Sequence, residues 1–316
     1  MSKNFLIGTY TKKYSKGIYK FTLDSNDNGS FEKRFKLHNP TYIDIKNNFL
    51  ISSHGDSNTG GVVLFSLKND SLIPLDKAED FNCPPCFVEI YKDYVLSCNY
   101  HQGLFILYKI TSDYSLQKLN SISIENGKLH CCRVYKDKLY IVDLNNSSLN
   151  VYSFPNLKPI TKINLEKKSK PRHLDFKDNF VYLITEGTYE LFQIDIDTLS
   201  ISNSIKPLNF NNDLEGAAIH IYDNFIYTSE RKTNTFSVFK ILENNSLKHI
   251  QNFSYKKINS PRDFILDGDK LFSCNLKSDS ISIFSLKNGI IDKFSNEIPI
   301  PEPICIKKYK NKTCPN

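Results

Sequence analysis

The chain has 316 residues, of which 40% are hydrophobic, 13% are aromatic and none is tryptophan. This apolar content is sufficient for a packed core, whereas the lack of tryptophan argues against the WD-repeat class, whose units use a Trp-Asp pair. The net charge of +7 is spread over lysines in turns and polar runs, without a basic stripe interleaved with aromatic residues, so we expect no nucleic-acid partner.

The N-terminal segment predicts three consecutive strands, at residues 5–10, 17–21 and 31–35. The first eight residues contain only three consecutive large apolar side chains, which is too short for a signal-peptide core. No run approaches the length of a transmembrane span. We therefore expect a cytosolic protein without a membrane partner.

A hairpin unit with a period near 45 residues occupies the rest of the chain. Each unit has an alternating apolar run, a short polar turn such as Lys177-Asp178-Asn179 and a second apolar run, which together are typical of two antiparallel strands. A third run and a weaker fourth run follow. The units start at positions 40, 85, 130, 171, 216 and 261. Four strands in a period of this length predict the blade of a β-propeller.

The two ends of the chain predict how the ring closes. A seventh unit starts at Pro303 but supplies only a first strand, whereas the N-terminal segment supplies a second, third and fourth strand. Together they complete one blade, which removes the open sheet edges that promote aggregation. The sequence therefore predicts an all-β, seven-bladed β-propeller in a single domain, residues 1–316, with a short C-terminal tail from about residue 311.

Eight cysteines occur in the chain. Because the chain is large and has no secretion signal, we expect free thiols rather than disulfides. Cys83 and Cys86 have the spacing of a redox motif, but neither a second cysteine pair nor a histidine lies close to them in sequence. The spacing alone therefore does not establish a redox or metal site.

The differences between the repeated units indicate where a function lies. In each hairpin the first two residues and the residue fifteen positions later lie at the same end, and the first strands of all blades surround the central channel. One mouth of the channel therefore receives a mixed set of a base, an acid and guanidinium groups, which is a candidate active site. Its predicted catalytic members are His130, Arg172, Glu186 and Arg231, and its predicted substrate-binding members are Asn99, Tyr100, His220 and Arg262.

Structural roles are the alternative for some of these residues. His173 and His220 fall inside the strand pattern, where a histidine can join neighbouring blades by hydrogen bonds. Arg262 is followed by Asp263, so a local ion pair is the alternative to substrate contact there.

Several short motifs, in this order, carry a family resemblance. They are Gly8-Thr9-Tyr10-Thr11, Asn39-Pro40-Thr41-Tyr42, Asn99-Tyr100, Asp143-Leu144, Pro171-Arg172-His173 with Glu186, Ala217-Ala218-Ile219-His220 with Ser229-Glu230-Arg231, and Pro261-Arg262-Asp263-Phe264. The set resembles the seven-bladed lactonase family of bacterial 6-phosphogluconolactonases and fungal carboxymuconate cyclases over nearly all seven blades. The resemblance implies that the family's catalytic His, Arg, Glu and Arg correspond to His130, Arg172, Glu186 and Arg231. The chain departs from the family at His130-Cys131-Cys132, where His-x-His is frequent.

The function implied by the resemblance is hydrolysis of a phosphorylated sugar lactone. This reaction needs a base and an acid, for which His130 and Glu186 are the candidates, and cations for the oxyanion, for which Arg172 and Arg231 are suited. It requires no metal or cofactor, and the predicted site has no carboxylate cluster fit for calcium, so we expect neither. Two alternatives stay open: a muconate-type lactonising cycloisomerase and a non-enzymatic propeller that binds a ligand or a protein. The sequence does not determine the oligomeric state.

Overall fold

The structure, a computed structural model, describes residues 2–24, 28–68, 70–210 and 213–309. Its described part consists of strands and connecting turns, with one 3-10 turn at Leu276–Ser278. None of its helical segments is long and apolar enough to cross a membrane.

The strands fall into seven groups of four. The first eleven strands in chain order are β1 (Lys3–Thr9), β2 (Gly17–Leu23), β3 (Gly29–Lys36), β4 (Ile43–Lys46), β5 (Phe49–Gly55), β6 (Gly60–Lys68), β7 (Ser71–Phe81), β8 (Phe87–Tyr91), β9 (Tyr94–Asn99), β10 (Leu104–Ile110) and β11 (Leu116–Ser123). The next eight strands are β12 (Leu129–Tyr135), β13 (Lys138–Asp143), β14 (Ser148–Ser153), β15 (Pro159–Asn164), β16 (Pro171–Lys177), β17 (Phe180–Thr185), β18 (Leu191–Asp195) and β19 (Ser200–Ile205). The last nine strands are β20 (Gly216–Tyr222), β21 (Phe225–Glu230), β22 (Thr235–Ile241), β23 (Leu247–Ser254), β24 (Pro261–Asp267), β25 (Lys270–Asn275), β26 (Ser280–Lys287), β27 (Ile290–Pro299) and β28 (Pro303–Tyr309).

The strands form seven four-stranded antiparallel sheets, which confirms the predicted seven-bladed β-propeller. Six sheets each consist of four consecutive strands, beginning with β4, β8, β12, β16, β20 and β24. The remaining sheet has the order β28-β1-β2-β3, so the two ends of the chain share a blade as the sequence predicts. The predicted C-terminal tail, residues 311–316, lies outside the described residues.

The hairpin turns follow from their polar residues. In the β16–β17 turn, Asp178 has a φ of 53°, in the left-handed region that Asp and Asn tolerate better than bulkier residues. Asn47 and Asp223 occupy the matching turns of two other blades with φ values of 55° and 53°. A tight turn of this hand matches the twist of the two strands that it joins. It therefore fixes which residues meet at the opposite end of each hairpin.

The core lies between neighbouring blades. The second strand of each blade is covered on both faces, so β17 and β21 are buried along almost their whole length, whereas outer strands such as β11 are largely exposed. The shared blade and the blade β24–β27 are joined by Phe5 and Phe272, whose ring centroids are 4.7 Å apart. Burial of each such ring contributes about 1.5–3 kcal/mol.

Charged side chains of the inner strands join neighbouring blades around the central channel. Arg133 on β12 donates to Glu89 on β8 at 3.1 Å and to Asp175 on β16 at 2.8 Å. His220 on β20 lies 3.2 Å from Asp263 on β24. These contacts tie together the strands whose first residues form the mouth of the channel.

Candidate active site

A β-bulge near the start of several inner strands directs site side chains toward one cavity. In β12, Leu129 and Cys131 have partners in β13, whereas His130 between them has none. Arg172 in β16 and Arg262 in β24 occupy the same bulged position. A bulge inserts one residue into a strand and re-aims its side chain. The recurrence of this bulge explains why residues from different blades converge at one end of the channel.

The cavity at this end has a volume of about 650 Å³, within the usual range of small-molecule sites. Six of the eight predicted site residues line it, and they come from five different blades. These residues are Tyr100, His130, Arg172, Glu186, Arg231 and Arg262.

Glu186 is held between two arginines. It follows β17 and lies beside Arg172 because the β16–β17 hairpin pairs Pro171 with Thr185. The Glu186 Oε2 atom accepts a hydrogen bond from Arg231 Nη2 at 2.7 Å and lies 3.4 Å from Arg172 Nε. The predicted proximity of Arg172 and Glu186 is therefore confirmed, with Arg231 of the next blade as a second partner.

Arg172 is almost completely buried and is fixed by the neighbouring blade. Its Nη1 donates to the carbonyl oxygen of Ala217. This contact needs a close approach of two blades, which Gly216 permits: a Cβ at Gly216 would lie 2.2 Å from the carbonyl oxygen of Thr185. The Arg172 Nε is enclosed without a hydrogen-bond partner in the described part of the chain. Nη2 is the remaining donor of Arg172 that can face a ligand in the cavity.

Repulsion among three guanidinium groups is built into the site. Burial, followed by Arg231 and Arg262, lowers the pKa of Arg172 from 12.5 to about 9. Burial and then Arg262 also lower the pKa of Arg231, against the opposing effect of Glu186. Cations held this close without full compensation favour the binding of an anion or of a developing oxyanion.

His130 is a neutral imidazole in this environment. Burial lowers the pKa of His130 well below 6.5, and Arg172, His173 and Arg262 lower it further. The Nδ1 atom is enclosed and has no hydrogen-bond partner within the described ranges. Nε2 is therefore the nitrogen available to a ligand. The ring is packed edge-on against His173 and Tyr100, with centroid distances of 5.0 and 6.0 Å.

Comparison with known proteins identifies the family. The model of the lactonase family of seven-bladed β-propellers matches residues 4–308. The chain belongs to this family. A 6-phosphogluconolactonase of Bacillus subtilis (strain 168) is 26% identical over 339 residues, with 95% of this chain and 97% of that protein covered.

Solved structures agree with the family fold. A putative 6-phosphogluconolactonase from Bacteroides fragilis superposes with a TM-score of 0.89 at 22% identity, covering 98% of each chain. A periplasmic gluconolactonase from Pseudomonas aeruginosa gives a TM-score of 0.89 at 19% identity, covering 98% of this chain and all of that chain. At these identities the likeness establishes the fold, and the family membership supports a lactonase.

Two residues predicted to bind substrate do not line the cavity. The Asn99 side chain donates to the carbonyl oxygen of Cys83 at 2.8 Å and accepts from the backbone N–H of His101 at 2.9 Å. It shapes the turn that carries Tyr100. His220 lies in the channel, where it contacts Asp263. The geometry thus gives both residues structural contacts, and the site of this lactonase-family protein is better described without them.

The cavity also contains residues that the sequence analysis did not select. Tyr10, Lys12, Tyr42 and His173 line it. Tyr10 follows the second strand of its blade just as Glu186 does, so applying the repeat to the N-terminal strand would have identified it. The places of Lys12, Tyr42 and His173 in the lining depend on tertiary packing. His173, for example, lies against Tyr42 at a ring centroid distance of 6.1 Å.

The two cysteines of the CxxC segment, Cys83 and Cys86, line the same cavity. Seven of the eight cysteines are described, all as free thiols, and Cys314 lies outside the described residues. Cys86 Sγ approaches the carbonyl oxygens of Leu129 and His130 at 3.3 and 3.6 Å. Burial raises the pKa of Cys86 to about 12, so it stays a thiol and supports the backbone of His130.

Proposed function

We propose that this protein is a hydrolase of phosphorylated sugar lactones, with an activity like that of 6-phosphogluconolactonase. The observation that carries the proposal is a neutral imidazole, His130, in one cavity with the buried guanidinium of Arg172. A base able to take a proton and a fixed cation able to hold an oxyanion are the two groups that lactone hydrolysis requires. Among the described residues there is no cluster of His, Cys, Asp or Glu that could hold a metal ion.

The first step is attack of water on the lactone carbonyl carbon. His130 Nε2 accepts a proton as the new C–O bond forms, and the carbonyl oxygen becomes an oxyanion. Arg172, immobilised by Ala217 and Glu186, donates to this oxyanion. A donor that is already fixed needs no reorganisation when the charge develops.

The second step is cleavage of the ring C–O bond. The tetrahedral intermediate collapses to the carboxylic acid, and the leaving ring oxygen takes the proton from the His130 imidazolium. A low imidazole pKa assists this transfer because it makes the imidazolium a stronger acid. Glu186, whose Oε2 is engaged by Arg231 and Arg172, serves in this scheme to orient the arginines, so His130 is our choice of base.

Two observations support a phosphorylated substrate. Four cations, Lys12, Arg172, Arg231 and Arg262, line the cavity together with four carboxylates, Asp56, Glu186, Glu215 and Asp263. Arg262 and Lys12 have no carboxylate at ion-pair distance among the described residues, so their charges favour an anion. The Bacillus subtilis relative is named a 6-phosphogluconolactonase.

We also propose that the protein acts in the cytoplasm. The support is the set of seven free cysteines in the described residues, since thiols persist in reducing compartments. Cell fractionation tests this: recovery in a periplasmic or secreted fraction would reject it.

The hydrolase proposal is tested with a panel of lactones at pH 7, with acid release corrected for spontaneous hydrolysis. We expect the greatest kcat/KM for 6-phosphogluconolactone, and a loss on the order of 10²–10⁴-fold in His130→Asn. The surface variant Lys308→Ala should retain wild-type rates. Absence of hydrolysis in the panel, or turnover of a carboxymuconate to a lactone instead, would overturn the proposal.

A further inference from the structure

The positive charges of the cavity are not equally compensated. Arg172 and Arg231 share Glu186, and Arg231 also lies 3.5 Å from Glu215. Arg262 has no carboxylate at ion-pair distance in the described part of the chain. Its hydrogen-bond partner there is the neutral hydroxyl of Tyr10, at 3.1 Å. Arg262 is therefore the guanidinium of the site whose charge is left for a ligand.

The neighbouring aspartate does not change this conclusion. Asp263 turns into the channel, where one carboxylate oxygen contacts His220 at 3.2 Å and the other accepts from the backbone N–H of Ile306 at 3.1 Å. The local ion pair that adjacency in sequence suggests for Arg262 is absent from the ion pairs of the described residues. Arg262 is the bulged residue, and although both residues line the cavity, the Asp263 carboxylate is engaged by His220 and Ile306 rather than by Arg262.

A second cation, Lys12, lies near the same Tyr10 ring as Arg262. The Arg262 guanidinium carbon lies 5.9 Å from the centroid of this ring, and Lys12 Nζ lies 4.8 Å from it. The Tyr10 oxygen accepts a hydrogen bond from Arg262, so its own hydrogen is available to an acceptor. A guanidinium, an ammonium and a phenol donor on one side of a cavity are the groups that bind phosphate oxygens.

The loop that carries Tyr10 and Lys12 is held by one buried carboxylate. Glu302, which is 3% exposed, accepts hydrogen bonds from the backbone N–H groups of four consecutive residues, 12–15, at 2.9–3.1 Å. The backbone N–H of Tyr10 donates to the Glu302 carbonyl oxygen at 3.1 Å. Because Glu302 lies just before β28, the shared blade itself fixes this loop. The backbone that carries Tyr10 and Lys12 is thus fixed before any ligand arrives, which lowers the entropic cost of binding.

We propose that Arg262, Tyr10 and Lys12 form the subsite that binds the phosphate group of the substrate. This proposal rests on the hydrolase function proposed above and adds an orientation to it. Arg262 is on the blade β24–β27 and the Tyr10 loop belongs to the shared blade, whereas His130 is on the blade β12–β15 and Arg172 on the next blade, β16–β19. The phosphate therefore lies across the channel from the lactone carbonyl, which it presents to His130 and Arg172.

The kinetic test uses two lactones that differ by the phosphate, 6-phosphogluconolactone and glucono-δ-lactone. For Arg262→Ala, loss of a charge-assisted contact should lower kcat/KM for the phosphorylated lactone on the order of tenfold to a hundredfold. The loss for the unphosphorylated lactone should be clearly smaller, because only the phosphorylated lactone makes this contact. Lys12→Ala should show the same selectivity at smaller size, and Lys13→Ala, from the same loop but outside the cavity lining, is the matched control.

A binding measurement keeps the subsite separate from the activity. Inorganic phosphate should raise the melting temperature of the wild-type protein at constant ionic strength, and Arg262→Ala should lose this response. If the wild type hydrolyses neither lactone, the proposed function fails, but the phosphate titration still decides the subsite. Equal losses for both lactones, or an unchanged phosphate response in Arg262→Ala, would overturn the subsite.

Discussion

Arg172 and Arg133 both lie on inner strands of the channel, and the structure predicts opposite effects for replacing each with methionine. Arg133 bridges Glu89 and Asp175, so Arg133→Met leaves two partly buried carboxylates without this partner. Loss of hydrogen bonds between charged groups predicts a cost of about 3 kcal/mol. The expected fall in melting temperature is on the order of 5 °C.

Arg172→Met has a different energetic balance. A pKa of about 9 instead of 12.5 means that the folded protein disfavours the charged form by about 5 kcal/mol. Because both pKa values lie above 7, this whole penalty is present at pH 7, and a neutral side chain removes it. The opposing loss is the donor to the Ala217 carbonyl, about 1–3 kcal/mol, while Glu186 keeps Arg231 at 2.7 Å. We therefore expect an unchanged or higher melting temperature.

The two substitutions should affect catalytic activity in the opposite way to stability. Removal of a fixed donor to an oxyanion costs on the order of a hundredfold in rate, so Arg172→Met should lose activity to this extent. Arg133→Met should keep its specific activity per folded molecule, since Arg133 does not line the cavity.

The assay combines thermal unfolding, followed by circular dichroism, with lactone hydrolysis at pH 7 for both variants and the wild type. The reasoning is refuted if Arg172→Met unfolds at a temperature as low as that of Arg133→Met and keeps its activity per folded molecule. Arg172 would then be a structural residue like Arg133.

Three further predictions concern pH, ring closure and thiols. Because the pKa of His130 is lowered well below 6.5 and the neutral imidazole is the active form, the acidic limb of kcat/KM should lie below pH 6.5; a limb at or above this value would contradict His130 as the base. Deletion of residues 303–316 removes β28 and should abolish cooperative melting of the whole ring, whereas a truncation that melts like the wild type would refute closure through the shared blade. Thiol titration of the denatured, unreduced protein should find all eight cysteines, and in the native protein a thiol reagent should modify Cys83 before Cys86, whose pKa is about 12; a clear shortfall or the reverse order would count against these assignments.

The sequence alone was enough to predict the architecture. Blade number and phase follow from a period near 45 residues, and strand pairing follows from alternation and turn residues, all of which are local patterns. The half-units at the two ends predicted the shared blade. The same phase argument placed Arg172 beside Glu186, since the ends of a hairpin must meet.

The direction of each side chain was decided by the tertiary structure. Asn99 and Tyr100 are neighbours in sequence, but only Tyr100 lines the cavity, while Asn99 turns inward to cap its loop. The bulges that direct His130, Arg172 and Arg262 toward the cavity have no signal in the pattern of apolar residues, because each lies at the second residue of its strand, where too few residues precede it to show a shift in alternation.

Contacts between blades were also beyond the sequence. Arg262 meets Tyr10 across 252 positions of the chain, and Glu302 holds the loop after β1 across nearly 290. Arg172 needs the carbonyl of Ala217 on the next blade to fix its guanidinium. Such partners are brought together by closure of the ring. Local periodicity determines each strand, but only the packed assembly determines which side chains from different blades share one cavity and which charges there stay uncompensated.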